Sequence, residues 1–290
     1  MGLARTVETA ANPAKKPARD ALSALLALGR PLVMGILNVT PDSFSDGGRF
    51  IDPAKAIAQA GAMQEQGADI IDIGAESTRP YGSATPVSAD DEMARLKPVL
   101  PAVLKLGLPV SIDTIKASVA AWALDQGAAI VNDVWGLQRD PAMAPLVAAR
   151  GVPVIVMHNR DSADPDIDII AEVAAFFARS LEIAERAGIA RDKIVLDPGI
   201  GFGKTPEQSI ACIARLMEFR RFELPLLVGA SRKRFINAVT PSSPDERLGG
   251  SIASHLEAVN NGASIVRAHD VAETVQALRV AAAIGRAKGR

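Results

Sequence analysis

Gln66-Gly67-Ala68-Asp69-Ile70-Ile71-Asp72-Ile73 holds the fold in miniature: an Ala-rich helical stretch ends on glycine, and a short, mostly apolar run begins at once. Glycine just past a helix supplies the left-handed turn that closes it. A run of β-branched residues with little polar alternation suits a strand buried on both faces. The same junction recurs at Gln126-Gly127-Ala128, Ala187-Gly188-Ile189 and Asn261-Gly262-Ala263. Outward from these points, short apolar runs occur at Leu32–Leu37, Ile70–Ile73, Val110–Ile112, Ile130–Val131, Val154–Met157, Ile194–Leu196, Leu226–Val228 and Ile265–Val266. Helical periodicity fills Ala54–Gln66, Asp91–Leu106, Lys116–Gln126, Ile169–Ala187, Glu207–Phe219, Asp245–Asn261 and Val271–Ala287. About eight strand–helix units in roughly 260 residues predict an α/β fold, a single (β/α)8 barrel of the TIM type. An open doubly wound sheet is the alternative, but it usually has fewer strands at this length.

The chain has 290 residues, and no composition break marks a second domain. The reading is therefore a barrel over residues 31–290 behind an N-terminal extension, 1–30, that is partly flexible. Lys15, Lys16 and Arg19 before the apolar run Ala21–Leu28 loosely resemble a signal peptide, but Asp20 abuts a run at the short limit for one. The composition, 48% hydrophobic and 22% charged, is globular and excludes bulk disorder. Lys and Arg number 32 against 33 Asp and Glu, so the basic excess that coats nucleic acid or an anionic membrane is absent. Aromatics at 4% are too few for a base-stacking platform. Cys212 stands alone, which excludes an intrachain disulfide and a Cys-rich metal site and fits a reducing, cytoplasmic compartment. No apolar run reaches the roughly 18 residues of a membrane span.

A barrel of this kind carries its chemistry at the C-terminal ends of the strands. There the sequence places Asn38, Glu76-Ser77-Thr78-Arg79, Asp113, Asn132-Asp133, His158-Asn159-Arg160, Asp197, Ser231-Arg232-Lys233 and Arg267-Ala268-His269-Asp270. Asp113, Asp133 and Asp197 with Asn132 have no metal-type spacing. A carboxylate pair doing acid/base chemistry is one reading. Recognition of a flat ligand with an amidine-like edge is another, since aspartate accepts two adjacent N–H bonds and asparagine both donates and accepts. Arg267 and His269, two apart in an extended segment, point the same way, where barrels often bind phosphate. A surface ion pair between Arg267 and Asp270 is the plainer reading. Asp197-Pro-Gly-Ile-Gly-Phe-Gly-Lys204-Thr205 is not a Walker loop, because Pro198 stands where that loop needs glycine. The connections Asn38–Gly48 and Thr78–Pro86 are long, polar and rich in turn formers, which suits lids over the mouth, and Phe44 suits docking.

These residues resemble the dihydropteroate synthase family of pterin-binding enzymes. The resemblance rests on Gly35-Ile-Leu-Asn-Val-Thr-Pro-Asp-Ser-Phe-Ser-Asp-Gly-Gly48, Glu76-Ser-Thr-Arg-Pro80, Asp197-Pro-Gly-Ile-Gly-Phe-Gly-Lys204, Ser231-Arg-Lys233 and Arg267-Ala-His-Asp270, in the family's order from about Pro31 to the last helix. It implies a folate-pathway transferase and sulfonamide target that joins 6-hydroxymethyl-7,8-dihydropterin diphosphate to 4-aminobenzoate, as a homodimer with Mg²⁺. It implies a pterin site of Asp113, Asn132, Met157, Asp197, Phe202, Gly229, Lys233 and Arg267. Diphosphate falls to Asn38, Thr78, Arg267, Ala268 and His269, with Asn38 at the metal. Aminobenzoate falls to Phe44, Thr78, Arg79, Pro80, Phe202, Ser231 and Lys233. Arg267, His269, Lys233 and Asp113 are the implied catalytic groups, with Arg267 and His269 stabilising the charge of the departing diphosphate. Two positions depart from the family pattern. Asn159-Arg160 stand where Met and then Gly are frequent, and Arg234 follows Lys233 where a small hydroxyl residue is common. The rival readings are a methyltetrahydrofolate-binding methyltransferase, which has no use for Arg267-Ala-His269, and a non-catalytic pterin-binding paralogue.

Overall fold

The structure, a computed structural model, describes residues 21–40, 52–76 and 87–288. Among them are eight strands: β1 Leu32–Asn38, β2 Ile70–Gly74, β3 Val110–Asp113, β4 Ile130–Asp133, β5 Val154–Met157, β6 Ile194–Asp197, β7 Leu227–Val228 and β8 Ile265–Ala268. The helices, in chain order, are α1 Ala21–Leu26, α2 Pro53–Glu65, α3 Ala89–Leu96, α4 Leu100–Leu104, α5 Ala117–Gln126, α6 Met143–Arg150, α7 Ile169–Ala187, α8 Pro206–Ala214, α9 Arg234–Val239, α10 Leu248–Asn260 and α11 Val271–Ala287. The strands pair in parallel in the order β6-β5-β4-β3-β2-β1-β8-β7. A bridge between Leu196 and Leu226 joins the two outer strands and closes the sheet into the expected barrel.

Local chemistry starts and stops the helices. Asp52 caps α2 by accepting from the N–H groups of Ala54 and Lys55, and Pro53 occupies the first turn, where no donor is needed. Thr205 and Gln208 close α8 with a reciprocal capping box. The glycines of the four junctions all have positive φ. The helical stretch Asp91–Leu106 divides into α3 and α4, because Pro98 has no N–H to carry the ladder across. Glu207–Phe219 ends as helix at Ala214 and continues as a 3₁₀ turn from Leu216 to Phe222. Helix α6 is absent from the periodicity reading, being short and carrying Pro145 near its start.

Side chains alternate across each strand, so residues two apart share a face. Leu32 and Met34, Ile70, Ile130, Ile155, Val195, Leu227 and Ile265 point inward and form one buried cluster. Leu22 of α1 joins that cluster from below, 3% exposed, with Leu25 and Leu26 packed against it. Arg30 pairs with Asp69 beneath the same end. The outward faces pack against the helices in a second, larger core. The inward face turns polar further up five of the strands, at Asp72, Asp113, Asn132, Asp197 and Arg267. These residues lie within the ladder, not beyond it.

Candidate active site

The register lays Asp113 beside Asn132 and Met157 beside Asp197. These four and Arg267 line one hollow of about 310 Å³, open mouth included, with Val134, Ile200, Phe202, Gly229 and Lys233 around them. Val134, Met157 and Phe202 form an apolar wall, and the Lys233 ammonium sits 4.0 Å over the Phe202 ring.

Arg267 stands at the centre. Its Nε donates to Asp72 Oδ2 at 2.6 Å and its Nη2 to Asp113 Oδ2 at 2.8 Å. Asn132 Nδ2 donates to the same oxygen of Asp72 at 3.0 Å. Asp113 Oδ1 and Asn132 Oδ1 are buried and have no hydrogen-bond partner among the described residues. Unmet acceptors of this kind are costly in a finished protein and fit N–H donors of a bound molecule. Burial pushes the Asp113 carboxyl up to about 7, against the pull of Arg267. It pushes Asp197 up to about 6, while the Gly199 N–H, 2.8 Å from Oδ1, favours the ionised form. At neutral pH Asp197 is therefore chiefly a carboxylate, an acceptor for two N–H groups.

Three expectations change. Asp133 points away from the hollow, as its place next to Asn132 in a strand requires, and holds the N–H groups of Trp135 and Leu137 at 2.9 and 2.8 Å. Asp270 pairs with Arg232 instead of Arg267, at 2.5 Å, because Arg267 is turned into the barrel. His269 is not a cation: burial first, then Arg267, Arg232 and Lys233, lower it to about 3. Ser231 Oγ accepts from the His269 backbone N–H at 3.2 Å and lies 3.0 Å from Nδ1.

Two residues of this centre escape the sequence reading. Asp72 has one visible signal, a carboxylate inside the apolar run Ile70-Ile71-Asp72-Ile73. Lys204, 1% exposed, lies under the glycine-rich turn and donates to His158 Nδ1 at 2.6 Å and to the carbonyls of Gly199 and Phe202 at 2.9 and 3.1 Å. Of the two departures from the family pattern, Arg160 packs on Gly203, where an added Cβ would fall 2.4 Å from the Arg160 Cβ, and Arg234 is exposed at the start of α9. Ala268 is buried in β8. Phe44, Thr78, Arg79 and Pro80 lie outside the described residues.

No group of three His, Cys, Asp or Glu side chains among the described residues is arranged for a metal ion. Asn38, half-buried at the top of β1, offers a hard oxygen. Mg²⁺ commonly takes one or two carboxylates and completes its shell with phosphate and water, so Asn38 would supply a neutral ligand only.

Residues 34–269 match the family model described as pterin binding enzyme. The chain is 46% identical over 250 residues to a Bacillus subtilis dihydropteroate synthase, covering 86% of this chain and 87% of that protein. It is 44% identical over 270 residues to the Escherichia coli dihydropteroate synthase, covering 91% and 95%. The Xanthomonas albilineans dihydropteroate synthase, solved with 4-aminobenzoic acid, superposes with a TM-score of 0.84 at 43% identity, covering 89% of this chain and 94% of that one.

Proposed function

Because the chain belongs to the dihydropteroate synthases of the pterin-binding enzyme family, we infer that its barrel mouth carries their reaction. It joins 6-hydroxymethyl-7,8-dihydropterin diphosphate to 4-aminobenzoate, giving 7,8-dihydropteroate and diphosphate for folate biosynthesis. The observation that carries this reading is the pair of buried, unpartnered acceptors, Asp113 Oδ1 and Asn132 Oδ1, beside the Asp197 carboxylate in one hollow. A dihydropterin presents several N–H groups around its ring and needs such a set. A phosphate, which brings acceptors of its own, does not match three acceptors set together.

Asp197, Asp113 and Asn132 take the ring's N–H groups, Lys233 donates to its acceptor atoms, and Met157 and Phe202 close on the faces. Arg267 is held in the plane set by Asp72 and Asp113 and turns a flat face to the ring. The bond from the pterin methylene to diphosphate oxygen breaks with its electron pair leaving on diphosphate. The neutral His269 imidazole and the Arg267 guanidinium are the groups that meet the departing charge. The carboxylates around the ring stabilise the methylene cation left behind. Mg²⁺ held at Asn38 would add Lewis-acid stabilisation of the leaving group. The aromatic amine of 4-aminobenzoate then forms the new C–N bond and releases its proton to solvent; it is nucleophilic without a catalytic base. Ser231, Lys233 and Phe202, with Phe44, Thr78, Arg79 and Pro80, form the aminobenzoate site in this reading.

Purified protein given the dihydropterin diphosphate, Mg²⁺ and 4-aminobenzoate should release diphosphate only when the amine is present. Asp197→Asn should lose activity by about 100-fold or more, as a charge-assisted pair of bonds is replaced by a mismatched amide. Pterin binding without release would favour the non-catalytic reading instead. The homodimer belongs to the same proposal. On α11, Val271, Val275 and Leu278 face the barrel, whereas Val280 and Ile284 are half exposed and give a second copy an apolar surface. No helix among the described residues is long and apolar enough to cross a membrane, and a cytoplasmic location fits a lone, buried thiol.

A further inference from the structure

Asp72 is fully buried in β2, below the hollow and absent from its lining, yet it touches two groups that line it. One oxygen, Oδ2, accepts both Arg267 Nε at 2.6 Å and Asn132 Nδ2 at 3.0 Å. The consequence for Asn132 is directional. An amide whose nitrogen is engaged below must present its oxygen above, and Asn132 Oδ1 is the atom left without a partner among the described residues. Without Asp72, either end of that amide could face the hollow. The consequence for Arg267 is a fixed plane. Two carboxylates, Asp72 at Nε and Asp113 at Nη2, hold the guanidinium by separate nitrogens, so it cannot rotate about its long axis.

We propose that Asp72 is a positioning residue for specificity: it makes Asn132 an obligate acceptor and locks the plane of Arg267, so that the site selects a ring with an N–H donor opposite Asn132. The inference rests on the pterin reading of the hollow. It adds a requirement that no residue in contact with the ligand states by itself. A ring of the same shape with a lone pair at that position would meet an oxygen facing an oxygen. The penalty for such a mismatch is steep in a buried site.

The test is a set of variants assayed for kcat and for both KM values. Asp72→Leu removes both bonds. It should raise the KM for the dihydropterin diphosphate about tenfold or more and leave the KM for 4-aminobenzoate within about twofold. Asn132→Asp places two carboxylates against each other and should weaken the pterin substrate at least as much. Adding Asp72→Asn to Asn132→Asp restores the bond with its direction reversed. The amide introduced on β2 would donate to the carboxylate introduced on β4 and still accept from Arg267. That double variant should recover at least tenfold of the lost pterin KM. Thermal melts of each variant establish which are folded. The swap supplies the answer if Asp72→Leu does not fold. Equal changes in both KM values, or no recovery in the double variant, would overturn the assignment. If the wild-type protein itself binds no dihydropterin diphosphate, the failure lies with the functional reading and not with Asp72.

Discussion

Lys204 illustrates what one residue can do from outside the hollow. Its ammonium is buried, and its hydrogen bonds to His158 and to the Gly199 and Phe202 carbonyls shape the turn that carries Asp197 at one end and Phe202 at the other. Gly199 sits in that turn at φ +67, and an added Cβ would fall 2.0 Å from the His158 carbonyl oxygen, so only glycine lets the turn lie on β5. Lys204→Met keeps the length and removes the donors. The expected result is a pterin KM raised about tenfold and a loss of roughly 2–4 kcal/mol, because buried carbonyls are left unmet; steady-state kinetics and urea midpoints read both. Burial lowers the ammonium to about 8, below its unfolded value of 10.5. The folded chain therefore binds fewer protons between those values, and wild-type stability should rise with pH across that window relative to Lys204→Met. The motif from Asp197 to Lys204 is legible in sequence, but the partner of Lys204 is not. His158 lies 46 residues away and only the barrel brings it close. The same holds for Asp72, whose partner Arg267 is 195 residues distant.

Elements are more legible than side-chain partnerships, and for a physical reason. A strand buried on both faces must be apolar along its length, and a helix behind it must end before the next strand; both leave marks within a few residues. All eight strands carry that mark, though their polar upper ends read as loop. Helix α6 leaves no such mark, and Asp133 reads like its neighbour Asn132 until the pleat separates them. The element with the least obvious purpose is α1. Leu22 fills the lower end of the barrel among Met34, Ile130, Ile155 and Leu227, where a purely hollow sheet would admit water. Leu22→Ala should cost about 2–5 kcal/mol, the range for emptying a packed leucine site. The urea midpoint should fall while pterin affinity stays unchanged, since the apolar layer separates α1 from the upper hollow. Altered affinity at full folding would show that the two ends of the barrel are coupled.

At the scale of the whole molecule, part of the acid sensitivity comes from a group far from the reaction. His255 on α10 is buried, and neither ring nitrogen has a partner among the described residues. Burial lowers its pKa to about 4, with Asp270 pulling weakly the other way. The unfolded chain takes up a proton near pH 6.5 while the fold refuses it until about 4. His255 should therefore contribute a loss of roughly 3 kcal/mol as pH falls through that interval. His255→Leu should flatten this part of the stability–pH curve, measured by denaturant titration at successive pH values; an unchanged slope would assign acid sensitivity elsewhere. Arg267 carries a different consequence, one of synthesis order. It is the cation between Asp72 and Asp113, and it resides on β8, the last strand to leave the ribosome. Until β8 inserts between β1 and β7, Asp72 and Asp113 lack the guanidinium that bridges them, and such carboxylates resist drying. The strand that completes the cylinder is thereby also the one that makes it ready for its first ligand.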